Sequence, residues 1–282
     1  MSNLIAMMIH GQKLFSEIMV GDVSHTSCFE VGNASIVGRA LLRQLPTNDD
    51  GTIDVAVIKR SIQTPNVHNT TTRCLVLENT HNAKGGRVLP LAYLQEVADV
   101  CREHNIKMHC DGARIWNAAV ALGVEPKELL VHFDTASVCM SKGLGAPLGS
   151  VLVGSAEFIG EARRARKMLG GGMRQAGVIA AACLYTLKNL YTRIADDHLM
   201  AKTLAEGIAE IGLPVLPVET NIVIWQVNPA DRAAFIEKCT ERGLKVIAMG
   251  PLGNVRAIPH YGNTMEEVKT ALEIIRAIVI AE

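Results

Sequence analysis

The sequence predicts an α/β fold, a mostly parallel sheet with helices on both faces, followed by a small C-terminal α+β unit. Between residues 73 and 155, short apolar runs alternate with helical patterns, which is typical of parallel strands joined by crossover helices. Beyond that region two long helical patterns lead into a unit of short strands and helices. We therefore expect a large domain over 1–195 and a small domain over 196–282.

Each element follows from its local pattern. In residues 91–104 the apolar side chains recur at helical spacing on one face, and Gly123 ends the next helix. The final helix has a capping box, in which Thr264 caps the amide of Glu267 and Glu267 reaches back. The predicted strands are Arg73–Glu78, Lys107–Cys110, Thr135–Met140, Ser150–Val153, Asn221–Val227, Leu244–Ala248 and Val255–Pro259. The predicted helices cover 91–104, 114–122, 156–169, 177–210, 230–242 and a segment that starts after Thr264.

Composition indicates a protein that acts on a small molecule. The 28 basic residues balance 28 acidic ones, so the charge that sequence-independent nucleic-acid binding requires is missing. The apolar segment Gln175–Leu187 is shorter than the roughly 18 to 20 residues that span a membrane, and no signal peptide is predicted. Seven scattered cysteines without a CxxC pair indicate reduced thiols in the core of a cytoplasmic protein.

Lys142 is the first candidate for a catalytic side chain. It is the only charged residue between Asp134 and Glu157, and small residues flank it. Small neighbours leave room for a bulky ligand, and an apolar setting lowers the pKa of a lysine, which supplies the neutral amine that imine formation needs. The alternative is a loop lysine whose ammonium group is solvated.

Asp111 follows one predicted strand just as Lys142 follows another, so both belong to the carboxyl ends of strands, where open α/β sheets bind ligands. A carboxylate there can keep the pyridine nitrogen of a cofactor protonated, so that the ring accepts electrons from a carbanion. Asp111 is equally typical of a turn or helix cap. His109 and Cys110 do not indicate a metal site, because adjacent strand residues point to opposite faces of the sheet. We predict no metal.

Four motifs, in the same order and spacing, resemble those of the threonine aldolases. They are Glu78-Asn79-Thr80-His81-Asn82 with the following Gly85-Gly86-Arg87-Val88-Leu89-Pro90, Asp111-Gly112-Ala113-Arg114, Ser141-Lys142-Gly143-Leu144-Gly145, and Gly170-Gly171-Gly172-Met173-Arg174-Gln175. The resemblance implies an aspartate-aminotransferase-like fold, a pyridoxal 5′-phosphate cofactor, and cleavage of L-threonine or L-allo-threonine to glycine and acetaldehyde. It also implies a homotetramer or a homodimer with active sites at subunit interfaces.

The resemblance implies five central roles. Lys142 matches the lysine that binds the cofactor covalently, Asp111 the partner of the pyridine nitrogen, and His25 the imidazole stacked on the ring. Arg114 and Arg256 match the arginines that bind the substrate carboxylate. On their own, His25 is typical of a surface turn and Arg256 of a solvated strand residue.

Three further roles are implied by the same resemblance. His81 matches a histidine near the substrate hydroxyl and is our candidate base, while Lys167 and Arg174 match active-site cations. Arg174 is expected to reach the phosphate in a neighbouring subunit. Without the resemblance, Lys167 is typical of a solvated helix face, since Arg163 and Arg166 lie beside it.

The sequence departs from the family pattern at its start. Threonine aldolases bind the cofactor phosphate with a Ser-Gly-Thr loop, and this sequence opens with Met1-Ser2-Asn3-Leu4, where that loop would have ended. A helix over Ser2–Ile9 would still favour an anion at its N-terminus. We therefore expect weak cofactor binding and low activity. Two alternatives stay open, another lyase of the same fold acting on amino acids and a catalytically impaired, shortened family member.

Overall fold

The computed structural model describes residues 1–250 and 253–280, which form two sheets and their flanking helices. The strands are β1 (Ser16–Gly21), β2 (Leu41–Leu45), β3 (Thr71–Glu78), β4 (Lys107–Gly112), β5 (Thr135–Cys139), β6 (Ser150–Val153), β7 (Val223–Gln226), β8 (Ile247–Ala248) and β9 (Asn254–Ala257). The helices are α1 (Ser2–His10), α2 (His25–Cys28), α3 (Asn33–Ile36), α4 (Val55–Ser61), α5 (Leu91–Glu103), α6 (Ile115–Leu122), α7 (Pro126–Leu130), α8 (Ala156–Met168), α9 (Gly177–Asn189), α10 (Ile194–Glu210), α11 (Arg232–Glu241) and α12 (Met265–Ile280).

The larger sheet has the strand order β2-β1-β3-β4-β5-β6. Its first four pairings are parallel, and β6 pairs antiparallel with β5 at one edge. The smaller sheet, β7-β9-β8, is antiparallel. The predicted α/β class with a small C-terminal α+β unit is therefore confirmed.

Apolar faces explain why these elements pack as they do. The periodic residues of α5, among them Leu94 and Val97, are buried against Leu75 of β3 and Met108 of β4. A separate core joins α10, α11 and α12 to the small sheet around Trp225. The predicted division at residue 195 falls within α10 and stays a prediction.

Two parts of the fold differ from the sequence prediction. Strands β1 and β2 and helix α4 were not predicted, although β1 lies between β2 and β3 in the sheet. The helical pattern predicted over 177–210 forms two helices, α9 and α10, which the chain separates at 190–193. There the amides of Arg193 and Ile194 bond carbonyls three residues back, and the side chain of Asn189 bonds the carbonyl of Tyr185. Tight turn geometry thus replaces the helical ladder.

The cysteines and the membrane prediction can be compared directly with the structure. All seven cysteines are free, and five are buried, but Cys28 is exposed, so the prediction of core thiols is wrong for that residue. Within the described residues, no helix is long and apolar enough to cross a membrane.

The capping box of α12 is confirmed and generates a stability prediction. The amide of Glu267 donates to Thr264 Oγ1 at 3.2 Å, and the amide of Thr264 donates to Glu267 Oε2 at 2.8 Å. We expect Thr264→Ala to lower the free energy of unfolding by about 1 kcal/mol, because an N-cap acceptor is lost. Urea unfolding measures this free energy. Thr270→Ala on the exposed side of the same helix is the control and should change the free energy of unfolding by less than about 0.5 kcal/mol. Equal losses in the two variants would contradict the capping role.

Candidate active site

The carboxyl ends of three neighbouring parallel strands gather the polar side chains of the candidate site. Glu78 ends β3 and pairs in register with Asp111 of β4, and Lys142 lies on the loop that follows β5. Parallel strands direct these ends to one edge of the sheet. The sequence prediction that Asp111 and Lys142 belong to the same edge is consistent with this arrangement.

Asp111 is a buried carboxylate in an unusual electrostatic setting. Its side chain is only 2% exposed. Burial, together with the charges of Glu78 and Glu30, raises the pKa of Asp111 to about 7, while Lys142 and His25 act in the opposite direction. A cation placed against Asp111 would therefore stabilise its ionised form. Its Oδ1 also accepts from the amide of Ala113 at 3.2 Å, so Asp111 shapes the turn before α6 as well.

His25 begins the short helix α2 and lies beside these acids. Its Nδ1 is 3.1 Å from Glu30 Oε1, and its backbone amide donates to Glu78 Oε2 at 2.7 Å. The hydrogen bond with Glu30 raises the pKa of His25. Burial raises the pKa of Glu30, but hydrogen bonds from His25, Asn3 and Asn33 outweigh it and bring that pKa down to about 2.

The two acids and the imidazole lie close enough together that they could bind a cation jointly. Ligand atoms of His25, Glu30 and Asp111 all lie within 4.8 Å of one another. A protonated pyridine nitrogen is a cation of suitable size and charge for a carboxylate at the bottom of such a set. The residues present therefore fit the ring of pyridoxal 5′-phosphate.

Two arginines converge on one amide oxygen. Arg114 Nη1 and Arg256 Nη1 donate to Asn82 Oδ1 at 3.2 and 2.8 Å, and the amide of Asn82 donates to Glu78 Oε1 at 2.9 Å. Burial and the neighbouring charge of Arg256 lower the pKa of Arg114. Arg256 Nε is buried and has no hydrogen-bond partner among the described residues. Two adjacent guanidinium groups with an unused donor suit a carboxylate ligand.

The setting of Lys142 differs from the prediction. We expected an enclosed apolar environment, whereas its side chain is exposed in the single chain. The reason is that the loop 141–149 lies at the surface, where only Leu144 and Ala146 are buried. Gly143 is needed there, because a Cβ at this position would lie 2.8 Å from Asn117 Oδ1.

His81 is more deeply buried than a surface base would be. Its side chain is 2% exposed, and both ring nitrogens lack a hydrogen-bond partner among the described residues. Burial and the charge of Lys84 lower its pKa to about 4, so the ring is neutral at pH 7. The ring packs next to Gly51, where an added Cβ would approach the His81 Cβ to 3.0 Å.

Lys167 and Arg174 lie outside the cluster that contains Asp111. Both are exposed, Lys167 near the end of α8 and Arg174 on the loop before α9. The Lys167 side chain lies against Gly172, where a Cβ would be 2.9 Å from its Nζ. Hydrogen bonds and charge interactions connect five of the predicted residues, His25, Asp111, Lys142, Arg114 and Arg256, whereas the roles of Lys167 and Arg174 stay predictions.

A cavity beside this edge offers a place for an anion. Apolar residues such as Ile5 and Ile159 line most of it, and Ser2, Ser141, Arg163 and Arg166 supply its polar groups. The first amides of α1 have no partners within the helix, as at any helix start, and they carry its positive dipole end. This donor set suits a phosphate next to the loop of Lys142.

Sequence reasoning missed four residues that shape the site: Asn3, Glu30, Glu78 and Asn82. Glu78 and Asn82 belong to a motif that was recognised, and both follow β3 directly, which could have indicated a role. Asn3 and Glu30 come from a part of the chain in which no strand was predicted, so no local pattern connected them to Asp111.

Comparisons with known proteins agree with this geometry. The β-eliminating lyase family model matches residues 1–230. The chain is 41% identical over 244 residues to a protein of Arabidopsis thaliana named probable low-specificity L-threonine aldolase 2, covering 85% of this chain and 69% of that one. It is 39% identical over 267 residues to the low specificity L-threonine aldolase of Escherichia coli K12, covering 95% and 78%.

The fold is also similar to that of a solved threonine aldolase. A solved threonine aldolase of Leishmania major superposes with a TM-score of 0.85 over 98% of this chain and 81% of that chain, at 20% sequence identity. At this sequence identity the structural match supports only a shared fold. The family model and the two relatives at 41% and 39% identity show the family to which the chain belongs. The chain belongs to the β-eliminating lyase family and, within it, to the group of the low-specificity L-threonine aldolases.

Proposed function

We propose that this protein cleaves L-threonine and L-allo-threonine to glycine and acetaldehyde with pyridoxal 5′-phosphate. The observation that carries the proposal is the joint placement, at one sheet edge, of an acid set for the cofactor ring and an arginine pair for a carboxylate. The test is to supply L-threonine and the cofactor and to measure glycine and acetaldehyde in equal amounts.

The cofactor is held by groups at both ends. Asp111 would bind the ring nitrogen, His25 would contact the ring, and Lys142 would supply the amine that binds the cofactor covalently. When bound, pyridoxal 5′-phosphate supplies an electron sink for the carbanion at Cα. Ser2 and Ser141 line a cavity beside Lys142 and, with the start of α1, would hold the phosphate.

The substrate is held through its carboxylate. Arg114 and Arg256 bind it, and Asn82 keeps the two guanidinium groups side by side through its Oδ1. Burial and the neighbouring charge of Arg256 lower the pKa of Arg114, and an anion bound by the two guanidinium groups would offset both effects.

The β-hydroxyl proton needs an acceptor before the Cα–Cβ bond breaks. His81 is neutral at pH 7 and has two unpartnered ring nitrogens, so it can accept a proton directly or through one water. The aldehyde then leaves, and protonation at Cα gives glycine.

A second reaction is favoured by the family match, because β-elimination uses the same cofactor on the same fold. From threonine it would yield ammonia and 2-oxobutanoate in place of glycine and acetaldehyde. Product analysis separates the two reactions.

We also propose a cytoplasmic homo-oligomer. Helix α9 is rich in apolar residues, yet Val178, Leu184 and Tyr185 are 81%, 56% and 63% exposed. Such a surface requires cover in water. A second copy of the chain, in a homodimer or homotetramer, provides it.

Lys142→Ala should abolish turnover and the near-visible absorbance of the bound cofactor, because the covalent link to the chain is lost. Absorbance titration with pyridoxal 5′-phosphate and glycine formation are the measurements. Lys127→Ala, an exposed lysine on α7, is the control and should behave like the parent. Retention of both signals in Lys142→Ala would refute the assignment.

Arg256→Ala should raise the Michaelis constant for threonine at least about tenfold and lower kcat less, because the arginine–carboxylate contact exists before and during the chemical step. Steady-state kinetics measures both constants. Arg256→Lys keeps the charge but loses the bidentate geometry and should fall in between. An unchanged Michaelis constant in Arg256→Ala would show that another group binds the carboxylate.

Leu184→Glu should shift the protein toward monomer, because it places a charge in the surface proposed to be buried. Lys127→Glu, which changes the charge of an exposed residue on α7, is the control and should keep the parent assembly. Sedimentation velocity measures the species. A parent chain that is monomeric at micromolar concentration would overturn the proposal.

A further inference from the structure

A line of hydrogen bonds leads from α1 through β5 to the carboxylate of Asp111. His10 Nε2 lies 2.8 Å from Thr135 Oγ1, which lies 2.9 Å from His109 Nδ1. On the other side of the ring, His109 Nε2 lies 3.2 Å from Asn3 Oδ1, and Asn3 Nδ2 donates to Asp111 Oδ2 at 3.0 Å. His109 and Asp111 are two residues apart on β4 and therefore share one face of the sheet.

The donor and the acceptor of each hydrogen bond in this line can be assigned by starting from Asn3. Asn3 Nδ2 also donates to Glu30 Oε1 at 2.9 Å, so both amide hydrogens point at carboxylates and the oxygen must accept. His109 therefore carries its hydrogen on Nε2 and accepts on Nδ1 from the Thr135 hydroxyl. That hydroxyl has then given its only hydrogen, so it accepts from His10 Nε2.

The line is neutral along its length. Burial lowers the pKa of His109 to about 3 and that of His10 to about 4, so each ring has one N–H at pH 7. An amide does not pass protons readily, so Asn3 makes this line a means of orientation and not a proton path. As a result, an N–H group of the Asn3 amide is held against Asp111 Oδ2.

We propose that His109 is a positioning residue, which acts through Asn3 to hold the Asp111 carboxylate in the orientation that binds the pyridine nitrogen of the cofactor. The inference rests on the proposed role of Asp111. Among the described residues the His109 side chain bonds Thr135 and Asn3, so its hydrogen-bonded connection to Asp111 runs through Asn3. The charged groups that act on Asp111 are Glu78, Glu30, Lys142 and His25, of which Glu30 also accepts from Asn3 Nδ2.

Two substitutions at His109 test the roles of its two ring nitrogens separately. A glutamine amide takes the place of Nε2, so His109→Gln keeps a donor for Asn3. An asparagine amide takes the place of Nδ1, so His109→Asn keeps the contact with Thr135 and leaves Asn3 Oδ1 buried without its donor. His104→Asn, an exposed histidine after α5, serves as the control.

The measurement is the dissociation constant for pyridoxal 5′-phosphate and for its 1-deaza analogue, in which carbon replaces the ring nitrogen. For the normal cofactor we expect His109→Gln and the control to stay within about threefold of the parent and His109→Asn to bind about 10- to 100-fold more weakly. With the analogue, the loss in His109→Asn should disappear, because no ring nitrogen meets Asp111.

Two outcomes overturn the inference. Equal affinities of His109→Gln and His109→Asn for the cofactor would show that the Nε2 bond to Asn3 is irrelevant, and an equal loss with the analogue would show that His109 acts on the scaffold and not through Asp111. If the parent binds both compounds equally well, the proposed role of Asp111 itself is wrong. This outcome differs from the two above, which concern only His109.

A measurement on the parent protein needs no variant. Nitrogen NMR of the ¹⁵N-histidine-labelled chain should show His109 and His10 as neutral Nε2–H tautomers at pH 7. An Nδ1–H tautomer of His109 would reverse the line of hydrogen bonds and overturn the proposal, even if His109→Asn does not fold.

Discussion

The burial of one carboxylate, Asp111, is the constraint on which the site depends. A buried ionised carboxylate is costly unless donors or cations surround it. Here burial, together with the charges of Glu78 at the end of β3 and Glu30 on the loop before α3, raises the pKa of Asp111 to about 7. The amide of Asn3 and the positive charges of His25 and Lys142 offset part of it. A protonated pyridine nitrogen at Asp111 would complete that balance, so the site favours a ligand with a cation at this position.

Acidic and basic side chains occupy different parts of this sheet edge, and the arrangement matches an amino acid bound to the cofactor ring. The acids lie toward β4, whereas Arg114 and Arg256 meet at Asn82, and Glu78 connects the two halves by accepting from the amides of His25 and Asn82. Like charges lie close together in each half, and they add to burial in raising the pKa of Asp111 and in lowering the pKa of Arg114. The bound ring and the substrate carboxylate each relieve one of these repulsions, so the same geometry that strains the free protein gives affinity for the complex.

Sequence patterns locate what local structure dictates. Asp111 and Lys142 could be placed at the ligand edge because each follows an apolar strand, and the Thr264 cap could be identified because its partners are three residues apart. Asn3 could not be linked to Asp111, since the contact spans 108 positions and no periodicity encodes it. Strand β2 escaped prediction because it is largely exposed and carries no apolar run of the kind that identifies a central strand, whereas β1 is fully buried and could have been predicted from its Ile18-Met19-Val20 run. The exposure of Lys142 was also beyond local patterns, because it depends on what covers the loop.

The exposed loop and the exposed helix are connected physically. The loop that carries Lys142 packs on α9, where the thiol of Cys183 donates to the carbonyl of Leu148 at 3.4 Å and Gly149 approaches Ile179. Both sides of this contact present apolar surface, Leu148 at 57% exposure and Leu184 at 56%. A second copy seated on α9 would therefore also cover the loop, and the enclosed setting that the sequence predicts for Lys142 would arise from association instead of from the chain alone. On this argument, burial of the apolar surface and completion of the site are one event, and disrupting α9 should weaken cofactor binding even though no α9 side chain belongs to the Asp111 cluster.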